Sequence, residues 1–365
     1  MKKWILVLII FLIMSMSSVF AQEVIFSSND FKELAPDFEV SLNKILPDGN
    51  IVFVAESKKG RNMQMLLVNP GAKKVICRIE VPVKVPSYIA TNKQGTRSVV
   101  YSVYSGGFYL VDFGLKEVRQ IFKRRAGEPG YALYSHQVSR LSYSDGFLLA
   151  WGYKYDAQNR FNGKYVFKID PDRKGMNAFT PIFETEFLGK LAKRYYPKAQ
   201  NVAHIEFNRK FMVFSAVNEK GAGGIVSYDF ETKKDYKLKS FDSMVGMDIA
   251  MEKPIIAYAI QSQNDTEKFG TLFVMNLQKQ EARQLDSGKL FNPVFNGDGT
   301  RLAVGKVELD ENNMLQKQMV IVDMETNKVK TIKLKREFNY YDWKFINNGN
   351  SLMIFSDSQL LMLNI

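Results

Sequence analysis

A single cysteine, Cys77, in 365 residues leaves no partner for an intramolecular disulfide. With only two histidines, His136 and His204, the usual Cys/His zinc modules are excluded as well. No G-x-S-x-G nucleophile elbow, H-E-x-x-H pair, P-loop or EF-hand loop occurs. Sustained 3.6-residue apolar periodicity is missing from nearly the whole chain, which argues against a helical bundle. Beyond residue 21 no apolar run is long enough to span a bilayer.

What is present is ample core material. Hydrophobic residues make up 46% of the chain and aromatic residues 13%, with 24% charged, so a disordered chain is excluded. Lys and Arg number 50 against 38 Asp and Glu, a formal charge of +12. The excess is spread through turns such as Lys58-Lys59, Lys73-Lys74 and Lys233-Lys234, with a concentration at Lys123-Arg124-Arg125.

Residues 1–21 read as a secretory signal peptide. Lys2 and Lys3 give the positive start, Trp4 to Met14 the apolar run, and Val19-Phe20-Ala21 a small-x-small site before Gln22. Cleavage after Ala21 is expected, giving a periplasmic or secreted bacterial protein with a single domain over 22–365. Export makes nucleic acid an improbable partner and leaves a protein or an anionic envelope polymer as the expected one.

The mature stretch repeats. Short apolar runs end in Asn69, Asp112, Asp170, Asp229, Asn276, Asp323 and Asn364, at intervals of 43, 58, 59, 47, 47 and 41 residues. Ahead of most of them a polar turn enters a strand: Pro47-Asp48-Gly49-Asn50, Gln94-Gly95-Thr96, Ser144-Asp145-Gly146, Gly297-Asp298-Gly299-Thr300 and Asn347-Asn348-Gly349-Asn350. Gly accepts the positive φ that such turns demand. In the fourth and fifth copies the turn is degenerate, reading Asn208-Arg209-Lys210 and Glu252-Lys253-Pro254.

Four short strands per copy, seven times, predict an all-β fold: a seven-bladed β-propeller of four-stranded antiparallel blades. The last copy stops after its third strand, and Glu23-Val24-Ile25-Phe26 is an orphan strand. Pairing the two would close the ring and cover an open sheet edge.

Asn292-Pro293-Val294-Phe295-Asn296-Gly297-Asp298-Gly299-Thr300-Arg301-Leu302-Ala303 resembles the repeat of TolB-like propellers, within the wider WD-repeat-like superfamily. Tyr341-Asp342-Trp343-Lys344-Phe345 and Leu46-Pro47-Asp48-Gly49 resemble it too. The resemblance implies a periplasmic propeller that binds proteins or envelope components. The additional N-terminal α/β domain of TolB has no room here.

The stretch from Glu184 to Gln200 departs from the repeat. Phe187, Leu188, Leu191, Ala192 and Tyr195 fall at helical spacing, and Pro197 stops the helix. Such a helix either caps a blade junction or binds a partner. The candidate binding residues are Lys190, Lys193, Arg194, Tyr195, Tyr196 and Lys198. Asp310-Glu311-Asn312-Asn313 and Asn264-Asp265-Thr266-Glu267 read as solvated hairpin loops rather than calcium sites. No cofactor and no metal are expected. The leading expectation is a non-catalytic binding or scaffold propeller of the cell envelope. The alternative is a hydrolase or lyase acting on a carbohydrate or lactone at the central channel mouth, which needs His and carboxylates gathered there.

Overall fold

The computed structural model describes residues 23–365 apart from 28, 31–32, 34, 60–61, 87, 93, 125–128, 134–141, 145–146, 157, 159, 262–269, 336–339, 347–348 and 357–358. The expected signal peptide 1–21 with Ala21, His136, Arg125, the turn residues Asp145, Gly146, Asn347 and Asn348, and the loop Asn264 to Glu267 lie outside the described residues.

The chain folds as antiparallel sheets in a β-propeller arrangement. The first sheet runs Phe38–Ile45, Ile51–Ser57, Met63–Asn69, Lys74–Val81, each strand beside the next. The second runs Tyr88–Thr91, Arg97–Ser102, Gly107–Asp112, Glu117–Lys123. In the third, two pieces, Gly130–Leu133 and Ser142–Ser144, share the partner Phe147–Tyr155, and Phe161–Ile169 and Phe179–Glu184 follow. The fourth runs Asn201–Phe207, Phe211–Val217, Gly223–Asp229, Asp235–Phe241. Helix α1 (Thr185–Tyr195) stands between the third and fourth sheets.

The fifth sheet has seven strands, from Ser243–Ile249 to Val329–Lys333. It departs from the expectation of seven separate units, because Glu281–Phe295 is one 15-residue strand. Its first half pairs with Gly270–Asn276 and its second half with Arg301–Leu309, so two repeat copies share one strand, and the sheets number six among the described residues. The last sheet runs Tyr340–Ile346, Ser351–Ser356, Gln359–Asn364, and then Glu23–Phe26 from the other end of the chain. Glu23 faces Met362 and Val24 faces Leu361.

Most of the repeated Asn and Asp have a common task. The first six stand at the end of the third strand of their copies, where the side-chain Oδ1 accepts backbone N–H groups in the following turn: Ala72 donates to Asn69, Leu115 to Asp112, Asp172 to Asp170, Glu231 and Thr232 to Asp229. Asn276 and Asp323 do the same with Gln278 and Lys279, and with Glu325 and Thr326. The Oδ1 of Asn364 accepts the Ser351 hydroxyl instead. Four residues after the Asx, the backbone turns left-handed at Lys73, Lys116, Lys233, Gln280 and Asn327, which finishes the hairpin.

The turn glycines serve the junctions between copies. Gly95 has φ +69°, and a Cβ there would stand 2.0 Å from Leu46 of the preceding sheet. Gly299, at φ +70°, leaves the space that Ala250 of the preceding copy fills.

Apolar clusters fill the spaces between successive copies. Val52, Met65 and buried Cys77 meet Val100 and Tyr109. Tyr101 and Phe108 meet Phe167 and Phe179. Leu149 and Val166 meet Ile205 and Phe214 across α1. Phe211 and Val213 meet Ile256 and Tyr258, Leu272 meets Leu302, and Ile321 meets Trp343. A further cluster joins Phe26 and Phe53 to Ile346, Met353 and Leu360.

Candidate functional site

Helix α1 forms where the stripe predicts it. Leu188, Leu191 and Ala192 are buried between the third and fourth sheets. Glu186 lies in its first turn and Lys193 and Arg194 in its last, which suits the helix dipole.

The expected binding residues divide. Lys190, Lys193 and Lys198 are exposed. Arg194 is exposed too, but its guanidinium pairs with Asp235 at 2.8 Å. Half-buried Tyr195 donates its hydroxyl to the same carboxylate, also at 2.8 Å. Tyr196 is buried, contrary to its expected place on an exposed surface. Beyond the helix end its ring lies on the fourth sheet where Gly224 leaves room, and its hydroxyl donates to the Lys239 carbonyl at 3.0 Å. Arg194, Tyr195 and Tyr196 therefore tie the helix to the fourth sheet.

Beside the helix lies a cleft of about 430 Å³. Leu149 of the third sheet lines it together with the aromatic rings of Phe187 from α1 and Tyr228 and Phe230 from the fourth sheet. Phe187 meets Tyr228 edge-on at 5.5 Å, and Tyr228 meets Phe230 edge-on at 5.9 Å. Burial first, then Asp235 and Asp229, raise the Tyr228 pKa, so its hydroxyl stays neutral at physiological pH. Ile182 is 39% exposed in this cleft.

Three cations complete the lining: Lys168, Arg209 and Lys233. Two are set by turns. Asn208 is buried and accepts the N–H groups of Lys210 and Phe211 at 3.0 and 2.8 Å, while its amide donates to the Ala250 carbonyl at 3.0 Å. That fixes the turn carrying Arg209. Asp229 holds the turn carrying Lys233 in the same way. Among the described residues no acidic side chain lines this cleft.

A second cleft of about 440 Å³ shares Asn208 and Arg209 and continues past Lys210 to Lys253 and Pro254. In it Lys210 pairs with Glu231 at 2.7 Å, which raises the lysine pKa, and Lys253 with Glu325 at 3.8 Å. Both degenerate repeat turns thus line clefts. Departure from the Asp-Gly pattern was the sequence signal that marks them.

A separate basic feature lies on the first strands of the first and last sheets. Lys44 donates to the Thr91 carbonyl of the second sheet at 2.6 Å. Burial, and after it the charge of Lys344, push its pKa down to about 8. Lys344 itself lies 3.9 Å from Asp342.

Of the two histidines, His204 is exposed, at a bulge in Asn201–Phe207 with φ 46°. Among the described residues no group of three or more His, Cys, Asp and Glu side chains could hold a metal ion. Among them also no helix is long and apolar enough to cross a membrane.

No protein-family model and no curated protein matches the sequence. Solved structures do match. An oligogalacturonate lyase in complex with manganese aligns over 90% of this chain and 91% of its own, at 11% identity and a TM-score of 0.58. Kluyveromyces lactis Hsv2 aligns over 89% of this chain and 97% of its own, at 14% identity and a TM-score of 0.50. The manganese is a property of the lyase structure. At such identities the likeness is one of fold: the chain is a β-propeller.

Proposed function

We propose that the protein is an exported, non-catalytic binding propeller of the bacterial envelope, and that it captures an acidic, apolar segment of a partner in the cleft beside α1. The observation that carries this reading is the lining itself: three aromatic rings with Lys168, Arg209 and Lys233 and, among the described residues, no carboxylate. Apolar walls reward burial of a side chain. The cations reward a neighbouring carboxylate, and they steer its approach. Exposed Lys190, one helical turn beyond Phe187, extends the positive surface.

The scaffold in this proposal is a closed ring of seven four-stranded units with a TolB-like turn repeat. Its support is the set of apolar clusters, each shared by consecutive copies, with the Phe26 cluster joining last to first. A rigid ring suits presentation of turns to a partner.

Binding of a fluorescent peptide that alternates Asp or Glu with Leu or Phe tests the function. The processed protein should bind it in a salt-sensitive manner, and Arg209→Glu with Lys233→Glu should weaken it about tenfold or more. Equal affinity for the same peptide with Lys in place of its acids would refute the assignment. Preference for an anionic polysaccharide over the peptide would move the partner to the polymer class.

A further inference from the structure

Arg301–Leu309 and Leu315–Asp323 are nine residues each, where most second and third strands have six or seven. They end in a hairpin tip whose apolar side chains are exposed: Leu309 63%, Met314 55% and Leu315 57%. Leu309 and Leu315 face each other across the hairpin. The tip is ordered by its own chain. Asp310 donates its N–H to the Met314 carbonyl at 2.9 Å, and its carboxylate accepts the N–H groups of Asn312 and Met314 at 3.0 and 2.8 Å. From Leu309 to Gln316 the chain carries Asp310 and Glu311 and no Lys or Arg, while Glu308 just before them pairs with Lys306 at 2.8 Å. Apolar residues on a rigid acidic tip are costly to leave in water and are the usual content of an interface centre.

That chemistry is the complement of the cleft. The two features also lie at opposite ends of the molecule. Strands alternate in direction, so turns after first and third strands fall at one end of each sheet, and the turn after a second strand falls at the other. The cleft is built from a first turn carrying Arg209 and a third turn carrying Lys233. The tip is a second turn.

We propose that the hairpin tip of one copy docks in the cleft of a second copy, with Leu309 and Met314 against Phe187 and Tyr228, and Glu311 beside Arg209 and Lys233. The inference rests on the binding role of the cleft and names its partner as this same chain. Such a contact joins two different surfaces, head to tail, and leaves one of each free, so it repeats along an open series.

Sedimentation velocity of the processed protein, from micromolar to sub-millimolar concentration and at low and high salt, tests it. The parent should form a concentration-dependent series that salt weakens. A tip variant, Leu309→Ser with Met314→Ser, should weaken association about tenfold or more, and so should a cleft variant, Arg209→Glu with Lys233→Glu. All four positions face solvent or the cleft, so both variants should melt with the parent. An equimolar mixture of the two variants should form dimers and nothing longer, because each supplies the half that the other has lost. A parent that stays monomeric throughout, association that survives in either variant, or a mixture that stays monomeric would each overturn the proposal. A monomeric parent that still binds the acidic peptide would refute self-docking and leave the binding role of the cleft standing; loss of both would remove both.

Discussion

Replacing Phe26 by Ala should lower the stability of the protein by about 3–5 kcal/mol, the usual cost of emptying a buried phenylalanine site. Phe26 is 1% exposed although it sits four residues into the described chain. Its ring stacks on Phe53 of the first sheet at 6.0 Å, and Ile346, Met353 and Leu360 of the last sheet belong to the same cluster. Removing it opens a void among side chains that come from both ends of the chain. With an unfolding entropy of roughly 2 cal/mol/K per residue, the loss corresponds to a melting temperature lower by on the order of 5 °C. Val24, two residues earlier on the same strand, is 42% exposed and makes the internal control. Val24→Ala should cost no more than about 0.5 kcal/mol. Thermal and urea unfolding of the chain from Gln22 onward and of both variants would measure the difference. Deleting residues 22–28 should exceed the single substitution, since the edge of Gln359–Asn364 would lose its backbone partner as well. If Phe26→Ala and the deletion melt with the parent, the N-terminal strand does not contribute to the fold and the reasoning fails.

Acid should weaken the turns first. Burial raises the pKa of Asp112, but the Leu115 N–H and the Arg97 guanidinium outweigh it and hold the carboxyl below 3.8; for Asp323 the Thr326 N–H and hydroxyl act the same way. A depressed folded pKa means that the stabilisation is full above the unfolded value and is lost as pH falls through the folded one. Melting temperature should therefore drop as pH falls below 3.8, and Asp112→Asn, which keeps the accepting oxygen, should drop less steeply. Lys44 has the opposite consequence. With its folded pKa near 8 and an ordinary value of 10.5, the unfolded chain holds the extra proton between them, so stability should rise across that interval. Lys44→Met should raise the melting temperature at neutral pH and flatten that rise; an unchanged profile would contradict the assigned burial. Finally, Ala21→Trp should block processing, and mass spectrometry of the exported parent should find Gln22 first; an intact Met1 terminus on the exported parent would refute cleavage.

The strand order was legible in the sequence because its markers are local. An Asx that accepts the N–H two or three residues later acts within one turn, so Asp112 and Asp229 can be read without knowing the fold. Helix α1 was legible for the same reason, since Leu188, Leu191 and Ala192 mark one side of it. The cleft was not, because Lys168, Phe187, Arg209 and Lys233 come from four segments that only the stacking of sheets brings together. Tyr196 shows the limit in one residue. Next to Tyr195 and Lys198 it reads as an exposed anchor, yet its position is decided by Gly224, 28 residues away, which leaves the space for its ring. The joining of two copies through Glu281–Phe295 was also hidden, because no local signal marks a strand that continues through Gly288, at φ +137°, from one copy into the next.

The pairing of Glu23–Phe26 with Gln359–Asn364 sets an order of events in time. Elsewhere among the described residues, partner strands are separated by 13 residues or fewer along the chain. Here Glu23 meets Met362, and everything between them is the intervening loop. By the logarithmic law of loop closure, that meeting costs about 4 kcal/mol more chain entropy than closing a four-residue turn. Long-range pairing of this kind is slow, so it is expected to follow the assembly of the local hairpins. Opening this seam breaks a ladder of three residue pairs and frees both ends of the chain. Amide exchange should accordingly be fastest, among the strand residues, in Val24 and Ile25 and their partners near Leu361, so that the join between the two ends is the last part of the propeller to form and the first to come apart.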